Sequence, residues 1–110
     1  MSNASAASAG PAPIFAALGD RTRLSLLMTL SDGKTRSIAT LSAQTKLTRQ
    51  AVTKHLHVLE EAGLVASSRS GRESLFAYRP DRVEQARSYL DAVSRQWDET
   101  LGRLREFVER

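Results

Sequence analysis

The stretch Ser37–Val65, "SIATLSAQTKLTRQAVTKHLHVLEEAGLV", decides the fold. Ser37 is a plausible N-cap, because its hydroxyl can accept from a free N–H of the turn that follows. Ile38 to about Thr45 then reads as a short helix with Ile38 and Leu41 facing inward. Lys46-Leu47 leaves room only for a tight connection, and Thr48 caps a second helix that stops at Gly63. Within it Val52, Leu56 and Leu59 recur at helical spacing and form one apolar stripe, with His55 beside it. Arg49, Gln50, Thr53, Lys54 and His57 fall on the opposite face.

Two short helices with a tight turn, the second carrying a polar outer face, make a helix-turn-helix. The second helix of such a pair enters the major groove of DNA, N-terminal residues first. The side chains on this face suit that task. Arg49 can donate to guanine or phosphate and Gln50 can pair bidentately with adenine. Thr53 offers a hydroxyl, and Lys54 and His57 reach phosphates. The helix start at Thr48 favours an anion through its free N–H groups and dipole.

Beyond this unit, Leu64 to Arg69 and Ser74 to Tyr78 are β-prone runs separated by Ser70-Gly71-Arg72-Glu73, the spacing of a hairpin. Arg69 and Arg72 flank Gly71 and make a basic wing. Pro80 then opens a last helix that can run to Arg110, about 45 Å at 1.5 Å per residue. Its Val83, Ala86, Leu90, Val93, Trp97, Leu101, Leu104 and Val108 recur in steps of three and four, close to a coiled-coil seam. Trp97 and the residues after it lie beyond what the head can cover, so the seam is expected to be a dimer interface. Glu84, Arg87, Asp91 and Arg95 are expected to form surface ion pairs on this helix.

On the N-terminal side, Ile14 to Leu18 reads as one or two helical turns ended by Gly19. Asp20 caps a helix to about Ser31. Its Leu24, Leu26, Leu27, Met28 and Leu30 lie on most faces, so it is expected to be the most buried helix. Residues 1–13, "MSNASAASAGPAP", read as a disordered tail without the basic and apolar regions of a signal peptide. The expected organisation is therefore a tail over 1–13, a winged helix-turn-helix over 14–80, and a dimerisation helix of the same domain over 81–110. The fold class is mainly α with a small β-hairpin, and the expected location is the cytoplasm.

Composition narrows the function. The 110 residues hold 16 Lys+Arg against 12 Asp+Glu, a net charge of +4, and no cysteine. The excess is not spread evenly: residues 14–80 carry ten Lys/Arg and five acids, whereas 81–110 carry six Arg and seven acids. A basic middle suggests an anionic partner. The lack of cysteine excludes disulfides, thiolate metal sites and a thiol nucleophile. No apolar run approaches a membrane span. No nucleophile elbow, phosphate loop or dinucleotide fingerprint occurs, so the chain does not read as an enzyme.

Taken together, "FAALGDRTRLSLLMTL", the Ser37–Val65 stretch and the "SRSGRESLFAY" hairpin resemble the ArsR family of bacterial winged-helix regulators over about residues 14–100. The resemblance implies a homodimeric transcription regulator, usually a repressor on an inverted-repeat operator. It places the DNA contacts on Thr48, Arg49, Gln50, Thr53, Lys54 and His57. It also implies dimer contacts from the first and last helices, here Phe15, Leu90, Val93, Trp97, Leu101, Leu104 and Val108. Two departures stand out. Family members often have glycine where this chain has Lys46, and a left-handed backbone there would strain a lysine by about 1 kcal/mol. The metal-sensing cysteines are missing, and the last helix holds no histidine, so no metal and no cofactor is expected. A small-molecule effector of unspecified chemistry stays open. So do two rivals: a metal-responsive repressor using Asp81, Glu84, Asp91, Asp98 and Glu99, and a winged-helix module that docks an acidic protein.

Overall fold

The computed structural model describes residues 10–109. In chain order the elements are α1 (Ala12–Leu18), α2 (Arg21–Leu30), β1 (Arg36–Ser37), α3 (Ile38–Thr45), α4 (Arg49–Glu61), β2 (Val65–Ser70), β3 (Glu73–Tyr78) and α5 (Pro80–Glu109). The strands form one antiparallel sheet in the order β1-β3-β2. Helix α1 begins at Ala12, so Ala12 and Pro13 belong to it rather than to the expected tail. The rest of that tail, up to residue 9, lies outside the described residues.

Local chemistry sets the boundaries. The Asp20 carboxylate accepts from the Arg23 N–H at 2.9 Å and starts α2. The Arg23 side chain reaches back and donates to the Ala17 carbonyl at 2.7 Å, closing the end of α1. Ser37 accepts from the Thr40 N–H, and Thr48 from the Ala51 N–H, each at 3.1 Å. At the far end of α4, Leu64 N–H donates to Leu59 at 3.0 Å and Gly63 N–H to Glu60 at 2.9 Å. This is a Schellman closure, and it requires the left-handed φ of +79° that Gly63 adopts. Leu59 and Leu64, both buried, make its apolar contact.

One core joins the elements. Ile14 of α1, Leu26 and Leu30 of α2, Leu41 of α3, and Val52, Leu56 and Leu59 of α4 are fully buried, with Leu64, Val65 and Phe76 beneath them. From α5 only Ala86 is buried, and Val83 packs against the same cluster.

Three expectations need correction. Helix α2 buries one face only: Leu24 is exposed and Met28 is 68 % exposed, because the core contacts the helix through Leu26, Leu27 and Leu30. The hairpin gains a third strand, since Arg36 and Ser37 pair with Phe76 and Leu75. A two-residue strand carries no periodic signal of its own. The hairpin turn is also tighter, with Ser70 and Glu73 paired and only Gly71-Arg72 between them. Gly71 has φ +63° and Arg72 a negative φ, as a type II′ turn requires.

Candidate nucleic-acid interface

Helices α3 and α4 form the helix-turn-helix. The connection is held by the Ser42 hydroxyl, which donates to the Leu47 carbonyl, and the last turn of α3 by Thr45 Oγ1, which donates to the Leu41 carbonyl at 2.6 Å. Lys46 sits in that connection with φ 60° and ψ 22°, the left-handed conformation anticipated for a glycine. The buried stripe of α4 fixes its rotation about its own axis, so the opposite face must look outward.

Thr48, Arg49, Gln50, Thr53, Lys54 and His57 are all exposed on or beside that face. Gln50 and Lys54 make no hydrogen bond or ion pair among the described residues, which leaves their polar ends available. Thr53 Oγ1 donates to the Arg49 carbonyl at 2.7 Å, so its hydroxyl is left as an acceptor. His57 Nε2 lies 3.1 Å from Glu61 Oε1 one turn on. His55 is half-buried on the inner side, its Nδ1 facing Asp20 Oδ2 at 3.9 Å, beyond hydrogen-bond distance. Asp20 titrates below the ordinary carboxylate value, chiefly because the Arg23 N–H donates to it.

The wing is tied to this helix. Ser67 Oγ of β2 donates to Glu60 Oε2 of α4 at 2.6 Å. Arg69 on β2 and Arg72 at the hairpin tip are exposed. Arg49 and Thr53 of α4 and Arg72 and Ser74 of the hairpin line one open groove of about 390 Å³. Arg49 of the helix and Arg72 of the wing therefore share one surface. Glu60 was not singled out from the sequence. A carboxylate in the last turn of a helix gives no sign of the strand that will fold beside it.

The other candidate residues lie elsewhere. Along α5, Leu90, Trp97, Leu101, Leu104 and Val108 are exposed, Trp97 by 59 %, and Val93 is half-buried. Phe15 is half-buried against Tyr89 of the same chain, ring centroids 5.9 Å apart. Arg87 pairs with Glu84 at 3.4 Å, whereas Asp91 and Arg95 form no ion pair among the described residues. Among the described residues no three His, Asp or Glu side chains gather to hold a metal ion, and no helix is long and apolar enough to cross a membrane.

Comparisons with known proteins place this geometry. Residues 18–68 match a helix-turn-helix domain family. The HTH-type transcriptional regulator YuzN of Bacillus subtilis is 48 % identical over 77 residues, covering 64 % of this chain and 84 % of the relative. An ArsR-like transcriptional regulator from Rhodococcus sp. RHA1 is 31 % identical and superposes with a TM-score of 0.80, over 92 % of this chain and 94 % of that one. A homodimeric winged helix-turn-helix DNA-binding domain from Mycobacterium bovis shares the fold at 22 % identity and a TM-score of 0.62, over 77 % and 78 % of the two chains. These relatives are regulators of transcription, not enzymes, and the chain belongs to the ArsR-like family of winged helix-turn-helix transcriptional regulators.

Proposed function

We propose that the protein is a homodimeric, sequence-specific DNA-binding repressor that occupies an inverted-repeat operator and does not respond to metal. The observation that carries this reading is the groove that Arg49 and Thr53 of α4 share with Arg72 and Ser74 of the wing. Arg49, Gln50 and Thr53 supply groups for base edges, and Lys54, His57, Arg69 and Arg72 supply charge for phosphates. Thr48 holds the helix start at the entrance to the groove.

Dimerisation follows from α5. Its seam leaves Leu90, Trp97, Leu101, Leu104 and Val108 open to water, a contiguous apolar stripe of the kind that marks an interface. A second copy laid along it would set two α4 helices toward successive major grooves, about 34 Å apart or a multiple of it. An independence from metal is supported by the donor set. The chain has no cysteine, and carboxylates alone suit zinc poorly. Two of the carboxylates on α5 face arginines instead, Asp81 toward Arg79 and Glu84 toward Arg87, each at 3.4 Å. A DNA operator as the target supports a cytoplasmic location.

Selection of bound duplexes from a random pool tests the reading. An enriched inverted repeat whose half-sites are one or more helical turns apart supports it. Failure to enrich any sequence, with no retention of duplex at low salt, overturns it. Adding zinc to the selected complex then tests the metal arm: release by zinc would restore the carboxylate-sensing rival.

A further inference from the structure

Among the described residues Lys46 is the only non-glycine with positive φ; Gly10, Gly33, Gly63 and Gly71 occupy the other such positions. Within residues 10–109, glycine thus serves wherever else the backbone turns left-handed. At Lys46 it accepts a side chain that this conformation disfavours, and one less tolerant of it than Asn or Asp. The turn is tied across Lys46, because the Ser42 hydroxyl donates to the Leu47 carbonyl on its far side. Nothing among the described residues repays the strain: the Lys46 side chain is exposed and makes no ion pair or hydrogen bond among them.

The surroundings of Lys46 supply a reason. It stands two residues before Thr48, beside the start of α4. On the other side of the turn, Arg21, Thr22, Thr45 and Leu47 line an open groove between α2 and the end of α3. Arg21 is exposed there and likewise makes no ion pair among the described residues. Lys46 stands in the chain between Thr45 and Leu47 of that groove, and three residues before Arg49 on the α4 face.

We propose that Lys46 is a DNA-backbone contact, a phosphate anchor kept in a strained turn for the sake of its ammonium group, with Arg21 continuing the phosphate track. The proposal rests on the DNA-binding reading above and adds a contact to it. An anchor ahead of the recognition helix fixes how deeply the helix enters the groove and carries no base preference of its own.

The test is a fluorescence-anisotropy titration of a random-sequence duplex at a series of salt concentrations, on the full chain. Lys46→Met keeps the strain and loses the charge, Lys46→Gly loses both, and Lys46→Arg keeps the charge. Each lost phosphate contact lowers the slope of log K against log salt by about 0.9. Between 50 and 200 mM salt, that makes the fall in affinity roughly threefold smaller per contact. Lys46→Met and Lys46→Gly are expected to show this flattening, and Lys46→Arg the parental slope. Lys46→Gly is expected to melt no lower than the parent while binding more weakly, a combination that a purely structural role for Lys46 would not produce. A parental slope in Lys46→Met overturns the proposal and leaves the DNA reading standing. If the parent protein itself fails to bind the duplex at low salt, the DNA reading falls and this contact with it.

Discussion

The guanidinium of Arg82 lies so close to Gly63 that a Cβ built on the glycine would stand 2.9 Å from Arg82 Nε. The same guanidinium donates to the Ala62 carbonyl at 3.3 Å and to Gln85 Oε1 at 2.7 Å. Helix α4 ends where α5 begins to pack, and a cation meets the carbonyl-rich end of α4, where the dipole favours it. The long helix and the recognition helix are thereby joined at one point.

That junction makes Gly63 intolerant of a side chain. Gly63→Ala combines a left-handed φ with a contact that Arg82 must yield to, and it should cost about 1–2 kcal/mol. Urea unfolding followed by circular dichroism measures it. A midpoint equal to the parent's would show that neither the φ nor the contact matters.

Acid sensitivity should concentrate near the end of α2. Asp32 accepts from Arg36 in a two-pronged pair, at 3.0 and 2.7 Å, and from the Lys34 N–H at 3.0 Å. Arg36 in turn donates to the Thr29 carbonyl at 2.9 Å. The Arg36 side-chain hydrogen bonds, and then the Lys34 N–H, hold the Asp32 carboxyl far below its ordinary value. A carboxylate depressed on folding stabilises the folded state above its unfolded pKa of about 3.9, and that contribution fades as pH falls below it. Asp32→Asn should therefore lower the melting temperature at neutral pH and flatten its decline from about pH 5 downward. Parallel pH profiles for parent and variant would contradict this.

Base reading and phosphate binding should separate by residue. Gln50→Ala should cost about 1–3 kcal/mol on a selected operator and relax the preference at one base position. On random duplex its effect should be small. Lys54→Ala should weaken both duplexes alike and flatten the salt dependence. Equal losses on both duplexes for Gln50→Ala would remove it from the base-reading set.

The seam of α5 should govern assembly. Sedimentation equilibrium of the parent should give about twice the 12.1 kDa chain mass. Leu101→Asp together with Leu104→Asp should give the monomer, since two unpaired charges in an apolar interface carry a heavy desolvation cost. Both side chains are exposed in the single chain, so the helix content of the variant should be unchanged. A parent that sediments as a monomer would overturn the dimer reading.

Much of this was legible in the sequence for a physical reason: the information is local. Caps at Asp20, Ser37 and Thr48, the stop at Gly63, and the spacing of Val52, Leu56 and Leu59 are each written within a few neighbouring residues. The stripe alone tells which side chains of α4 face outward. What stayed hidden depends on contacts between distant segments. Strand β1 exists only because β3 lies beside it, and the Ser67–Glu60 and Arg82–Ala62 ties join elements whose meeting no local pattern announces. The sequence overstates the burial of α2, because apolar residues such as Leu24 and Met28 have high helix propensity whether or not a core covers them.

On the proposed reading, the exposed side of α4, together with the hairpin tip, is where the protein meets DNA. Amide chemical-shift mapping of the protein with a random-sequence duplex at low salt addresses it most directly. The largest changes are expected at Thr48–His57 and Arg69–Arg72, with Val52, Leu56 and Leu59 shifting less than their exposed neighbours. Changes that cluster on the far half of α5, and leave Thr48–His57 unmoved, would contradict it.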